Sequence, residues 1–393
     1  MSVAFPSAFG ASRHLAALLS LWIGLSVVQP SAATPLPKQP TKHAKTGKHT
    51  GAQKMGAKGH KGQRAQPHAS KATPTDGYAS RPDAMQWADE AATRMDLPAD
   101  WVRQQIGQAR RIPLIEQLVL PAPSPVAKNW AAYRSRFIEP RRIEAGAAFW
   151  QRHQATLAKA EQAYGVPASI IVGIIGVETL YGQHMGNFRI LDALATLAFD
   201  FPQAHPRARE RQAFFQGELD HFLRMAQRSG NDAQSYRGSY AGAMGLPQFM
   251  PSSWSHYAVD FDGDGRIDLF NSPADAIGSV ANYFKAFQWK AGMPTHYPVT
   301  VTPGQTDMDT LLAPDILPTF SVESFTSKGA QLQGPALQHN GLLALIELRN
   351  GEAAPSYVAG TENFYAVTRY NWSSYYAMAV IELGQAVAER MGR

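Results

Sequence analysis

A short apolar stretch that contains a single acid constrains this sequence most. Residues 170–182 read IIVGIIGVETLYG. In a helix, Glu178 follows Ile174 and Ile175 by four and three positions, so it lies on their inward-facing stripe. A carboxylate there is costly to ionise, and its pKa should rise toward the range in which the group can donate a proton. Two roles remain open at this point: a buried acid satisfied by Arg or by backbone donors, and a catalytic acid in a cleft.

The length and the cysteine content limit the class of protein. The chain has 393 residues, which is enough for one large domain or two ordinary ones. It contains no cysteine. Disulfides, thiolate zinc sites and cysteine nucleophiles are therefore excluded.

The first 33 residues have the pattern of a secretory signal peptide. Arg13 and His14 precede an apolar run from Leu15 to Val28, and small residues lead to a cleavage site after Ala33. The run is short for a membrane span, although an uncleaved anchor is the alternative. Since no cysteine follows the run, we expect no lipid anchor. We expect an exported, soluble protein of the periplasm.

Residues 34–80 read as a disordered basic linker. They carry nine Lys and Arg against one acid, a formal charge of +8, so the whole-chain charge of +6 leaves −2 for the remainder. Few large apolar residues are present to form a core. No aromatic residues alternate with the charges, so we do not expect nucleic acid as a partner. Anionic cell-wall polymers, membrane surfaces or the machinery of cell-wall synthesis are the partners expected for this linker.

The remaining residues, 81–393, form the folded region. Its helical patterns include one long amphipathic helix predicted from Glu144 to Tyr164, ending before Gly165. Between about 300 and 357 the period changes, and VTVTPG, PTFSVESF and LLALIELRNG are typical of strands. A mainly helical body with a small β insertion is α+β in class, and we expect it to be monomeric.

Four long motifs in this region resemble the lytic murein transglycosylase B family. They are GVETLYG, AGAMGLPQFMPSSW, VDFDGDGRIDL followed by AIGSVANYF, and NFYAVTRYN. The resemblance spans roughly residues 83–393. It implies a lysozyme-like fold and cleavage of peptidoglycan.

The resemblance also implies the residues of the site. Glu178 matches the catalytic acid of the family. The matched positions that line its cleft are Ser239, Gln248, Tyr370, Asn371, Tyr376, Tyr283 and Tyr133. For the tyrosines, packing in the core is the alternative.

The family implies a reaction that uses one acid. Protonated Glu178 would donate to the oxygen of the β-1,4 bond between MurNAc and GlcNAc, and then accept the proton of the C6 hydroxyl as that oxygen attacks C1. The product would be a 1,6-anhydromuramoyl end, and no cofactor is needed for the chemistry. Asp192 and Asp200 lie outside the catalytic motifs of the family. A hydrolytic muramidase and a non-catalytic scaffold that binds peptidoglycan are the alternatives.

An acidic loop follows the second motif. Asp260, Asp262 and Asp264 occupy positions 1, 3 and 5 of a calcium loop, with Gly at position 6. Position 12 is Asn271, so we expect the carbonyl of Arg266 and the carboxylate of Asp275 to complete the ligands. The resemblance implies a structural calcium ion here, and a capped acidic turn is the alternative.

Overall fold

The computed structural model describes residues 77–121 and 128–393. The signal peptide predicted over 1–33 and most of the linker predicted over 34–80 lie outside the described residues. Within the described part, Tyr78 is buried and its hydroxyl donates to Asp200 at 2.7 Å. The folded body therefore includes residues 77–80, which composition alone assigns to the linker.

The described residues form mainly helices. In chain order these are α1 Pro82–Met95, α2 Ala99–Gln108, α3 Pro113–Leu118, α4 Trp130–Arg134, α5 Pro140–Arg152, α6 Gln154–Tyr164, α7 Ala168–Thr179, α8 Ile190–Phe199, α9 Ala208–Ser229, α10 Pro251–Tyr257, α11 Pro273–Ala286, α12 Met308–Leu312, α13 Val322–Ser327, α14 Glu362–Tyr370 and α15 Ser374–Arg390. The strands are β1 Phe188–Arg189, β2 Arg237–Gly238, β3 His296–Pro298, β4 Ala344–Asn350 and β5 Ala353–Gly360. Short 3-10 turns cover Tyr78–Ser80 and Gly334–Gln338. The predicted α+β class is confirmed.

Helix α7 is the centre of the helical body. Every residue from Ile170 to Val177 is buried, because α15, α5, α6 and α11 all pack around this helix. Glycines let α15 approach closely: a Cβ at Gly173 would lie 2.2 Å from the carbonyl oxygen of Val380. The predicted helix therefore exists, but it is apolar on every side rather than along one stripe.

The small sheet differs in part from its prediction. It has the order β3-β5-β4, all antiparallel, and its strands extend from 296 to 360 rather than from 300 to 357. The strand predicted in LLALIELRNG is confirmed as β4. The strand predicted in VTVTPG is reduced to one isolated bridge at Thr300. The strand predicted in PTFSVESF is wrong, because the side chain of Ser321 accepts from the Ser324 amide and starts helix α13.

The long helix predicted from Glu144 to Tyr164 is also divided. Residue His153 separates α5 from α6, with φ −114° and ψ 22°. Helix α5 packs against α7 and α15, whereas α6 packs against α7 and α11. One straight helix could not reach both sets of neighbours.

No single helix in the described ranges is long and apolar enough to cross a membrane. The pair α6 and α7 passes that test only together, across a bend of 116°. Helix α7 is buried in the core.

Candidate active site

Glu178 lies in the last turn of α7, directly before the residues that end this helix. Leu180 and Tyr181 follow with positive φ values of 49° and 55°, which end the helix at Thr179. The hydroxyl of Thr179 donates to the carbonyl of Leu246 at 2.9 Å. This bond joins the end of α7 to the glycine-rich turn at residues 241–246.

The carboxyl group of Glu178 has one strong partner. The hydroxyl of Tyr376, at the start of α15, donates to Glu178 Oε1 at 2.7 Å. Burial raises the pKa of Glu178 from 4.5 to about 7, and the hydrogen bond from Tyr376 opposes this rise. No neighbouring carboxylate in the described part of the chain contributes to the shift. The group is therefore held near the midpoint of its titration at neutral pH.

Two further tyrosines surround the same carboxylate. Burial, and after it the charge of Glu178, raises the pKa of both Tyr133 and Tyr370. Tyr133 comes from α4 and is partly exposed, whereas Tyr370 ends α14 and is buried. Glu178 and Tyr376 come from α7 and α15. Four helices, α4, α7, α14 and α15, therefore contribute side chains to this site.

The rings of Tyr283, Tyr370 and Tyr376 form a row that leads away from Glu178. The ring centroids of Tyr376 and Tyr370 lie 6.3 Å apart, and those of Tyr370 and Tyr283 lie 4.8 Å apart. The hydroxyl of Tyr370 donates to the carbonyl of Pro247, and that of Tyr283 donates to the carbonyl of Arg369 at 2.6 Å. Tyr283 is only 4% exposed and lies behind Tyr370. Both hydroxyls thus bind backbone, and the structure does not bring Tyr283 to the surface of the cleft.

Ser239 and Gln248 hold the glycine-rich turn from its two ends. The hydroxyl oxygen of Ser239 accepts from the Ala243 amide at 3.0 Å. The side-chain amide of Gln248 donates to the carbonyls of Gly245 and Met185 at 3.0 and 3.2 Å. Because both amide hydrogens of Gln248 are used, only its amide oxygen remains to accept a bond from a ligand.

The turn itself needs its glycines. Gly242 and Gly245 have φ values of 94° and 72°. A Cβ at Gly245 would lie 2.5 Å from the carbonyl oxygen of Leu269, in the segment that follows the acidic loop. The amide of Leu246 donates to that same carbonyl at 2.8 Å, so the turn and the acidic-loop segment are in direct backbone contact.

Asn371 follows Tyr370 directly and ends α14 in an extended conformation. It is 4% exposed. Ser373 then caps α15, its side chain accepting from the Tyr376 amide. Residues 370–376 therefore form a tight connection that carries Tyr370, Asn371 and Tyr376 together.

The other two acids considered from the sequence are occupied elsewhere. Asp192 accepts from the Arg110 amide and from the Arg189 guanidinium. Asp200 accepts from Tyr78 and Arg81. Neither is free to act as a second carboxylate beside Glu178.

Another acid with a raised pKa, Glu218 on α9, was not predicted from the sequence. It is 3% exposed and accepts from the amide and the hydroxyl of Ser252 at 2.9 and 2.6 Å. Burial raises its pKa to about 7, against the two bonds from Ser252. The signal was present, because Glu218 stands among Phe215, Leu219 and Phe222 as Glu178 stands among its isoleucines. Glu218 fixes the start of α10, which begins three residues after Gln248.

A cavity of about 540 Å³ lies beside this site. Its lining includes Tyr181, Gly182, Met185 and Leu246, but not Glu178. It therefore borders the chain that follows α7 and the end of the glycine-rich turn, and it does not contain the carboxylate.

The acidic loop brings three of the predicted metal ligands together. Oxygens of Asp260, Asp262 and Asp264 all lie within 4.8 Å of one another and are exposed. Backbone amides, with that of Gly265 contributing most, lower the pKa of Asp260. Three carboxylates offer oxygen donors, and oxygen donors fit a hard cation such as calcium.

Asp275 lies outside this group of three. It is 1% exposed, and its two oxygens accept from the amides of Phe261 and Asp268, both at 2.8 Å. Asp275 therefore holds the two ends of the loop together through backbone hydrogen bonds, and the prediction that it is a metal ligand is not supported by its position.

Comparison with known proteins adds a family and two kinds of relative. The family model described as Transglycosylase SLT domain matches residues 79–385. The membrane-bound lytic murein transglycosylase B of Escherichia coli (strain K12) is 41% identical over 319 residues, which cover 79% of this chain and 84% of that protein.

Solved structures agree with this match. The E. coli lytic transglycosylase Slt35 in complex with calcium has a TM-score of 0.69 and 40% identity, covering 80% of this chain and 96% of that one. Pseudomonas aeruginosa SltB3 in complex with NAG-anhNAM-pentapeptide has a TM-score of 0.64 and 30% identity, covering 78% of this chain and 79% of that one.

Proposed function

Because the chain belongs to the Transglycosylase SLT domain family and is a lytic transglycosylase that cleaves peptidoglycan, we propose that Glu178 is its single catalytic acid and base. The lysozyme-like fold expected from the motifs accords with the solved relatives. The observation that carries the proposal is the position of Glu178 at the end of α7, where the Tyr376 hydroxyl donates to its carboxyl group at 2.7 Å and burial raises its pKa to about 7. A carboxyl group in this state can give a proton and take it back near neutral pH.

The first step breaks the bond between MurNAc and GlcNAc. Protonated Glu178 donates to the glycosidic oxygen, and GlcNAc leaves with that proton. The acetamido oxygen of the substrate stabilises the positive charge that forms at C1 of MurNAc. Glu178 is now ionised, and the hydroxyl of Tyr376 stabilises its charge through the bond of 2.7 Å.

The second step closes the anhydro ring. Ionised Glu178 removes the proton of the C6 hydroxyl while that oxygen bonds to C1. Glu178 returns to its protonated state and no water is consumed. Among the described residues, no second free carboxylate acts on Glu178. This supports the route, because hydrolysis commonly uses a second acid to activate water or to attack C1.

The substrate is a glycan strand of peptidoglycan. The amide oxygen of Gln248, the side chain of Asn371 and the hydroxyl of Ser239 are proposed to bind its sugars. Tyr133 is proposed to offer its partly exposed ring to a sugar face. Tyr370 and Tyr283 are proposed to support this wall through their backbone bonds.

A calcium ion is proposed to bind Asp260, Asp262 and Asp264, with the carbonyl of Arg266 as a further ligand. Its role is structural, since the carbonyl of Leu269 in the same segment accepts from Leu246 of the glycine-rich turn. The related Slt35 structure in complex with calcium supports this. Isothermal titration of metal-stripped protein should give one calcium site, and Asp262→Asn should weaken it; no heat at millimolar calcium would contradict the assignment.

Export to the periplasm as a soluble monomer is proposed from the N-terminal pattern. The basic linker is proposed to hold the enzyme near anionic wall polymers or near the machinery of wall synthesis. Fractionation separates a soluble enzyme from the membrane-bound state named for the E. coli relative. Release from cell walls by salt would support the electrostatic attachment.

The reaction is tested by digesting purified sacculi with wild type and Glu178→Gln and weighing the products. Wild type should release muropeptides with anhydro ends, which are one water lighter than hydrolysed ends. Glu178→Gln should fold and release almost none. Hydrolysed ends would indicate a muramidase, and full activity in the variant would remove Glu178 from the mechanism.

A further inference from the structure

Two histidines on neighbouring helices, His221 on α9 and His256 on α10, have their rings in contact. The ring centroids of His221 and His256 lie 5.4 Å apart, with the ring planes at 59°. His256 is exposed and His221 is partly exposed. Neither residue belongs to the catalytic site or to the acidic loop.

Hydrogen bonds fix which nitrogen of His256 carries its proton. Its Nδ1 lies 2.7 Å from the carbonyl oxygen of Ser252, which can only accept. In the neutral ring Nδ1 must therefore be the donor, and Nε2 keeps its lone pair.

The position of the proton on His221 is fixed in the same way, through the hydroxyl of Ser255. Its Nδ1 lies 3.3 Å from the hydroxyl of Ser255, and that hydroxyl donates its hydrogen to the carbonyl of Pro251 at 3.0 Å. The Ser255 oxygen is therefore an acceptor for His221, and Nε2 of His221 also keeps its lone pair. In the described part of the chain, neither Nε2 has a hydrogen-bond partner.

The spacing of the rings matches a shared ion. Two imidazoles that bind one tetrahedral ion at about 2.1 Å place their ring centroids about 5.3 Å apart. Ligating histidines typically donate the other ring nitrogen to a carbonyl or a similar group, as both do here.

We propose that Nε2 of His221 and Nε2 of His256 bind one transition-metal ion of the zinc class, with water completing its coordination. Imidazole nitrogen suits zinc, copper and nickel, whereas calcium prefers oxygen. The nearby charges are balanced in part: Asp220 forms an ion pair with Arg94, and Arg224 adds one positive charge. The ion links α9 to α10, and so stabilises the helix that begins three residues after Gln248.

The experiment titrates zinc into the full metal-free chain and into three single variants. In His221→Asn and His256→Asn the amide nitrogen can replace Nδ1 as donor, while the Nε2 ligand is lost. His184→Asn is the matched control, since His184 is exposed and lies outside this pair. The other histidines, including those of the linker, are common to wild type and the two paired-histidine variants, so any zinc that they bind cancels in the comparison.

We expect one zinc site in wild type and in His184→Asn, weakened by at least about tenfold in each of the other two variants. Zinc should also raise the unfolding midpoint of wild type and not of His256→Asn, because it binds only the native pair. Excess calcium should not displace it. Equal zinc binding by wild type and both paired-histidine variants would overturn the proposal, and circular dichroism checks that each variant is folded.

Discussion

At Glu178, burial and a hydrogen bond act on the pKa in opposite directions. Burial beside the isoleucines of α7 favours the protonated acid, whereas Tyr376 favours the carboxylate. The net value of about 7 leaves both forms accessible at neutral pH. A single residue can therefore serve as the acid of one step and the base of the next.

The same burial should cost stability at high pH. The pKa of Glu178 is raised in the folded state from 4.5 to about 7, so the folded protein binds this proton more tightly than the unfolded chain. Stability from this group is therefore lost as pH rises through that window. We predict that Glu178→Gln is more stable than wild type by about 1–3 kcal/mol at pH 8, and by less at pH 5.

Urea unfolding of both proteins at the two pH values measures this difference. Glu218 titrates in the same range but is present in both proteins, so its contribution cancels. A stability difference that does not change between pH 5 and pH 8 would contradict the raised pKa.

Tyr376→Phe tests the opposing influence. Removal of the hydroxyl leaves the ionised form of Glu178 less stabilised, so its pKa should rise by about half a unit to one unit. The alkaline limb of the pH–activity profile, where Glu178 loses the proton it must donate, should move upward by the same amount. An unmoved limb combined with lower activity would mean that Tyr376 acts on the substrate alone.

At the scale of elements, the cleft depends on helices that are fixed by side chains outside it. Glu218 on α9 accepts from the first turn of α10, where the Ser252 amide has no partner within its own helix. We predict that Glu218→Leu lowers stability by about 1–3 kcal/mol, because it leaves a buried amide unsatisfied. Glu218→Gln should cost less, since its amide oxygen can still accept.

Measuring the free energy of unfolding and the KM of the two Glu218 variants shows whether Glu218 also positions the cleft or only stabilises the fold. Because α10 follows Gln248, we expect a higher KM in Glu218→Leu and partial rescue in Glu218→Gln. If both variants bind glycan as wild type does, Glu218 supports the fold without positioning the cleft.

Elements were predictable where local pattern and packing agree. Helix α7 follows from the apolar run at residues 170–177, between Pro167 and Gly182, and β4 follows from its alternation. The division at His153 has no local signal, because it arises from the different neighbours of α5 and α6. In VESF the alternation favours a strand, but the cap provided by Ser321 gives a helix.

The site was predictable to a similar extent. Its acid and its motifs could be located in the sequence, because catalytic groups must have particular residue types at particular spacings. The roles of Tyr283 and Tyr370 could not be predicted, since their hydroxyls donate to the backbone carbonyls of Arg369 and Pro247. Such partners depend on how distant segments pack, and so does the bracing position of Asp275.

At the scale of the whole molecule, Glu178 has no second free carboxylate acting on it among the residues that the structure describes. Asp192 and Asp200 lie on and beside α8 and are satisfied by Arg189 and Arg81. The β insertion and the acidic loop complete the body without adding an acid to the cleft. This arrangement supports the proposed attack by the C6 hydroxyl of the substrate over attack by water.

Digestion of sacculi in water labelled with oxygen-18 tests this central claim most directly. If Glu178 works alone and the C6 hydroxyl attacks C1, the wild-type enzyme should release anhydromuramoyl ends that contain no oxygen-18. Reducing ends that carry oxygen-18 at C1, formed at the same rate as total cleavage, would contradict it.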